Sequence, residues 1–258
     1  MPKTRKIRLN QIVVITLLTL GALFIVLSAF YGSSYLAILG LGLIFWGGIL
    51  LYITPTKHVP LTFLTASTIA GTSNIERVLS EQKLTEKGVY LPPKNLQDPE
   101  SSLIFIPETA KQGLPLPEET AKGNLLTKKP GGLLLTPPGA ALSKLFENEL
   151  GVSFIKTDLN YVQNTLPKLL IERMEIAEDA EMTMQEKQII LTLKNSILDP
   201  ICEETKKYPK THDQVGCLLS SAIACVLAKA SGKAVTIKNE EQSKDQKTTK
   251  IELQIMEE

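Results

Sequence analysis

Two apolar runs, Gln11–Phe30 and Tyr35–Ile53, constrain this chain more than any other feature. They are separated by Tyr31-Gly32-Ser33-Ser34, and no Asp, Glu, Lys, Arg or His occurs between Leu9 and Thr56. About 20 helical residues at 1.5 Å each span the ~30 Å hydrocarbon core of a bilayer. Backbone polar groups in lipid need partners within the chain, so both runs are predicted to be helices. The fold class expected is α+β: a two-helix transmembrane hairpin, then a soluble α/β domain with a mainly antiparallel sheet.

Charge sets the expected orientation. Formal net charge is +1, and Lys3, Arg5, Lys6 and Arg8 make the first eight residues +4, which leaves the rest at −3. Cytoplasmic flanks of membrane helices are enriched in Lys and Arg. Lys57 follows the second run and the loop between the runs is uncharged. A multi-pass protein of the cell membrane with both termini cytoplasmic is therefore expected. The first run is too long for a cleaved signal peptide, and a second span follows at once. The mildly acidic remainder lacks the basic stripe of a nucleic-acid surface.

Four segments are expected: a basic tail at 1–10, the hairpin at 11–54, a juxtamembrane helix and irregular Pro-rich β region at 55–130, and the α/β domain at 131–258. Gly40, Gly42, Gly47 and Gly48 give the second span small faces for close helix approach. Pro55 and Pro60 stop that span. Leu61–Gln82 reads as an amphipathic helix interrupted at Gly71-Thr72-Ser73-Asn74. Val89–Leu91 and Leu103–Ile106 read as short strands among prolines.

Gly131–Leu135 reads as a buried strand running into a Pro-Pro-Gly turn, without the lysine of a phosphate loop. Ala140–Leu150 reads as a helix stopped by Gly151, and Asp158 as the cap of a helix from Leu159 to Ala177. Ile189, Leu191 and Leu193 alternate as a strand, with a partner near Met182–Met184. A short helix from Asp199 to Lys207 and a polar loop at Pro209–Asp213 holding His212 follow. The strongest helix is Gly216–Ser231, rich in small residues and ended by Gly232. Val235–Ile237 and Ile251–Ile255 read as strands joined by a charged, exposed loop. Glu172, Glu175, Glu178, Asp179 and Glu181 read as a solvated helix face.

Leu133-Leu-Leu-Thr-Pro-Pro-Gly139, Leu166-Pro-Lys-Leu-Leu-Ile-Glu172 and Gly216-Cys-Leu-Leu-Ser-Ser-Ala-Ile-Ala-Cys225 together resemble uncharacterised archaeal membrane proteins with an N-terminal helix pair. The element order of 140–258 also resembles the 4-vinyl reductase and TRAPP-type fold. That likeness implies a small-ligand-binding or trafficking-adaptor module. Relatives of the ligand-binding type keep cysteines near the last two strands, and Asn239–Glu258 has none.

Cys202, His212, Cys217 and Cys225 form the one group with metal-ligand chemistry. Thiolates and imidazole bind zinc, but no Cys-x-x-Cys occurs. Cys217 and Cys225 sit about 80° apart around one helix at ~100° per residue. Free cysteine commonly fills buried apolar space, which makes a structural role the first reading of all three. No Walker, kinase, zincin, nucleophile-elbow or dinucleotide fingerprint occurs, so no catalytic residue and no cofactor is expected. The sequence thus predicts a non-enzymatic, membrane-anchored domain that binds a protein partner or self-assembles on the bilayer. The alternative is a sensor of a small ligand, metal or redox state at the helix carrying Cys217 and Cys225.

Overall fold

The computed structural model describes residues 9–52, 60–109, 112–243, 245 and 247–256. The tail carrying Lys3, Arg5, Lys6 and Arg8, and the segment with Pro55, Lys57 and His58, lie outside these residues. The chain forms two compact units that meet in sequence between Pro60 and Leu61.

The first unit is a helical hairpin of α1 (Leu9–Tyr31) and α2 (Ser34–Tyr52). Gly32, at φ +60°, makes the turn, and a side chain there would be strained. The helices approach closest through glycine. A Cβ on Gly21 would lie 2.9 Å from the Gly40 carbonyl oxygen, and one on Gly40 would lie 2.8 Å from that of Gly21. Gly47 faces Leu18, whereas Gly42 and Gly48 meet nothing within 4 Å. Most of the remaining surface is exposed and apolar, including Phe30, Ile38, Leu41 and Trp46. Val13–Tyr31 has a mean hydropathy of 2.6 and is long enough to cross a bilayer; Ser34–Leu50 is apolar but shorter. Pro209–Ser231, at 1.5, passes the same length test but is mostly buried within the second unit.

The second unit is built on one eight-stranded sheet among the described residues. Its strands are β1 (Val89–Tyr90), β2 (Ile104–Pro107), β3 (Leu126–Lys128), β4 (Gly131–Leu135), β5 (Asp179–Gln185), β6 (Gln188–Lys194), β7 (Val235–Gln242) and β8 (Thr248–Ile255). The order is β3-β4-β2-β1-β7-β8-β6-β5, and every neighbouring pair is antiparallel. The α+β class with an antiparallel sheet is what the structure shows. The segment boundary expected at 130/131 falls between the paired strands β3 and β4.

Strand alternation places the core. Ile189, Leu191 and Leu193 of β6 and Ile251, Leu253 and Ile255 of β8 are buried on one face, while Gln188 and Lys194 are exposed on the other. The helices cover the buried face: α3 (Leu61–Glu81), α5 (Ala140–Leu150), α6 (Leu159–Lys168), α7 (Asp199–Lys206), α8 (Pro209–Val215) and α9 (Leu218–Ser231). A five-residue α4 (Pro117–Ala121) lies in the Pro-rich region. Around β2 and β4 the second face is covered too, because Phe105 and Leu134 pack with Leu91 and Leu96. α9 is the central helix, buried continuously from Leu219 to Lys229. Its Ala and Ser positions let the backbone approach its neighbours, and Gly139 donates its amide to Ser221 Oγ at 3.0 Å.

Several expectations change. α3 runs unbroken through Gly71–Asn74, its hydroxyls bonding back to carbonyls of the preceding turn, as Thr72 Oγ1 does to Thr68. The helix from Leu159 ends at Lys168 and passes into a π-helical turn, Leu169–Arg173. His212 lies on a helix, not a loop, because the Glu76 carboxylate accepts from the amides of Lys210 and Thr211 and caps α8. The charged stretch after Ile237 continues as strand, with β7 and β8 paired out to Gln242 and Thr249. The acidic residues 172–181 are spread over the π turn, a bend and the edge strand β5 rather than one helix face.

Candidate metal centre

Each of the four neighbouring elements α7, α8, α9 and β7 contributes one side chain to a single cluster. Cys202 comes from the middle of α7, His212 from α8, Cys217 from the N-cap of α9, and Glu240 from β7. Cys202 Sγ, Cys217 Sγ and a Glu240 carboxylate oxygen all lie within 4.8 Å of one another. The Cys202 thiol donates to Glu240 Oε1 at 2.8 Å. His212 Nε2 is 4.0 Å from Glu240 Oε2 and is buried with no hydrogen-bond partner among the described residues. Both cysteines are buried, and the Glu240 side chain is 4% exposed.

Local structure explains each placement. Gly216, at φ +81°, turns α8 sharply into α9, and a Cβ there would come within 2.5 Å of Ile237 Cδ1. That turn sets Cys217 at the start of α9, where Ser220 and Cys217 cap one another. Glu240 is placed by a β-bulge. Ile237 pairs with Leu253 but Asn239 pairs with Glu252, so Lys238 is the extra residue. A bulge reverses the in–out phase of the strand beyond it. Glu240 therefore lies opposite the core residue Ile251 and points to the helix-covered face. Lys87 Nζ holds the bulge by donating to the carbonyls of Ile237 and Lys238 at 3.1 and 2.6 Å.

The hydrogen bond to Cys217, burial and the Glu240 carboxylate together push the Cys202 thiol far above its ordinary range. Cys202 is therefore held as the thiol. The Lys206 ammonium donates to Glu203 Oε1 at 2.6 Å and to Gln242 Oε1 at 3.1 Å. A cavity of about 230 Å³ lies beside α3, lined by Ser67, Thr68, Thr72, Ile201 and Thr211 among others, and Cys202, His212, Cys217 and Glu240 are not part of its lining.

Of the four residues nominated by sequence, three converge and Cys225 does not. Cys225 lies in the buried middle of α9, where burial pushes its thiol up to about 12. It is expected to resist iodoacetamide in the folded protein at about pH 8, and to react at once in guanidinium, as read by intact mass. The sign of its linkage is fixed as well. The folded chain keeps the proton that the unfolded chain loses near pH 9, so this contribution to stability is complete below pH 9 and declines from there towards 12. Cys225→Ala is expected to flatten that alkaline decline in urea midpoints.

Glu240 escaped the sequence reading. Strict alternation from Val235 and Ile237 points Asn239 and Glu241 inward and leaves Glu240 outside. The one signal in the sequence is the acidic pair Glu240-Glu241 three residues past Ile237, which by itself does not report a bulge.

The family model described as Domain of unknown function (DUF7982) matches residues 3–254. No curated protein and no solved structure matches the chain. These comparisons give no evidence for an archaeal origin or for the 4-vinyl reductase and TRAPP likeness.

Proposed function

We propose, for a chain that belongs to the DUF7982 family, a membrane-anchored, non-enzymatic sensor whose responsive element is the thiol pair Cys202 and Cys217. The observation that carries this reading is the buried convergence of two thiols and a carboxylate within 4.8 Å, drawn from three separate elements. The apolar hairpin supplies the anchor, and the basic N-terminal flank puts the folded domain on the cytoplasmic side. There the reducing environment keeps unligated thiols reduced. Tethering raises the effective concentration of the domain beside membrane partners that would read its state.

The test is alkylation of the detergent-solubilised full chain followed by mass mapping. Cys202 and Cys217 are expected to be labelled slowly in the reduced, metal-free protein. Added zinc or a mild thiol oxidant protects both, and a chelator or reductant restores labelling. Labelling of these two cysteines that ignores both cation and oxidant would sink the sensor reading.

A further inference from the structure

We infer that the cluster is a four-coordinate site for a zinc-class cation, with Cys202, Cys217 and Glu240 as three ligands and His212 Nε2 as the fourth. This rests on the sensor reading and names what the sensor takes. Three observations carry it. The donor set is two sulfurs, one carboxylate oxygen and one imidazole nitrogen, a mixture that suits zinc better than the all-oxygen cations magnesium and calcium.

The spacing is also right. Ligand atoms about 2.0–2.3 Å from a tetrahedral zinc stand roughly 3.3–3.8 Å apart. Cys202, Cys217 and Glu240 have their donors inside 4.8 Å of one another; His212 Nε2 stands outside that trio, 4.0 Å from Glu240 Oε2, and reaches the fourth position by moving its ring towards the sulfurs.

The third observation is His212 itself. Its Nε2 is buried beside the carboxylate with no partner among the described residues, an arrangement that costs free energy unless something meets that nitrogen. Its ring is framed by fixed structure, because α8 is capped by Glu76 at one end and tied through Tyr90 Oη to the Val215 carbonyl at the other. On binding, each Cys S–H bond breaks and a Zn–S bond forms, with both protons going to solvent. Two thiolates and one carboxylate leave the loaded site at a net charge of −1.

The experiment uses the full chain in detergent, prepared without affinity metals and dialysed against zinc alone. Elemental analysis is expected to give one zinc per chain. X-ray absorption is expected to show two sulfur and two nitrogen or oxygen scatterers, with the outer-shell signature of one imidazole. His212→Ala is expected to weaken zinc binding by roughly 100-fold and to remove that signature, and Cys225→Ser to leave both unchanged. Should the ligand variants fail to fold, cobalt substitution of the wild type reports the same shell through thiolate charge-transfer and tetrahedral d–d bands.

Bound zinc without imidazole overturns the four-ligand assignment and leaves the sensor reading standing. A wild type that takes no zinc but forms a reversible Cys202–Cys217 disulfide overturns this inference alone. A wild type that does neither overturns both.

Discussion

Gly139→Ala is expected to destabilise the folded domain by about 3 kcal/mol or more. The reason is steric rather than conformational. Gly139 sits at φ −81°, ψ −2°, which any residue adopts. An added Cβ, however, would lie 2.0 Å from the Ala222 amide nitrogen and 2.4 Å from the Ser221 carbonyl carbon. Both atoms are backbone of α9, so relief requires moving the central helix of the core. For a domain of this size that loss corresponds to a fall in Tm of roughly 6–12 °C. Gly71→Ala is the control, since it meets nothing within 4 Å inside α3 and is expected to stabilise by up to about 1 kcal/mol. A Gly139→Ala protein that melts with the wild type would show that α9 does not seat on this turn.

Lys229→Ala is the second large effect. Lys229 and Glu147 are paired at 3.3 Å with both side chains 3% exposed. Glu147 also accepts from Lys144 Nζ and from the Phe154 amide, each at 3.0 Å. Removing the lysine takes away the buried half of the pairing and leaves the carboxylate to Lys144 and one amide, a change that costs about 2–3 kcal/mol, below the roughly 3–5 kcal/mol of a wholly uncompensated buried charge. The apolar stem of Lys229 is lost with it. Replacing both partners as Glu147→Gln with Lys229→Met removes the charges together and is expected to recover most of the loss. Urea midpoints of the single and double variants decide the matter. A double variant no more stable than Lys229→Ala would mean that packing, not the weakened charge pairing, sets the cost.

What could be read from sequence follows how local the cause is. The Gly151 and Gly232 helix stops, the Asp158 cap and the alternation of β6 act within a few residues, and each is found where sequence puts it. α8 was not legible because its cap is the Glu76 carboxylate, supplied by α3 from 135 positions away. The outer half of β7 was hidden by its charges, which look like loop but lie on a strand paired with β8. The site divided in the same way. Cysteine and histidine declare their chemistry in any context, so Cys202, His212 and Cys217 are legible from residue type alone. Glu240 became a member only through the bulge at Lys238, and that bulge depends on Lys87 reaching across from before β1. Cys225 was nominated by residue type and is excluded by position.

The sheet order bears on how the chain is made. β8 is the last strand in sequence, yet it lies between β7 and β6 and joins the two halves of the sheet. A polypeptide synthesised from its N-terminus therefore delivers the apolar hairpin before the sheet, and the joining strand after both strands it joins. Until residues 248–255 are available, β6 and β7 present open edges of the kind that recruit other chains. The Val89–Thr236 pairing, more distant in sequence than any pairing of β8, must wait as well. The nascent chain thus passes through a long interval in which its hairpin is complete and its sheet is not. Shielding of those edges by chaperones during that interval is part of what this topology demands of the cell.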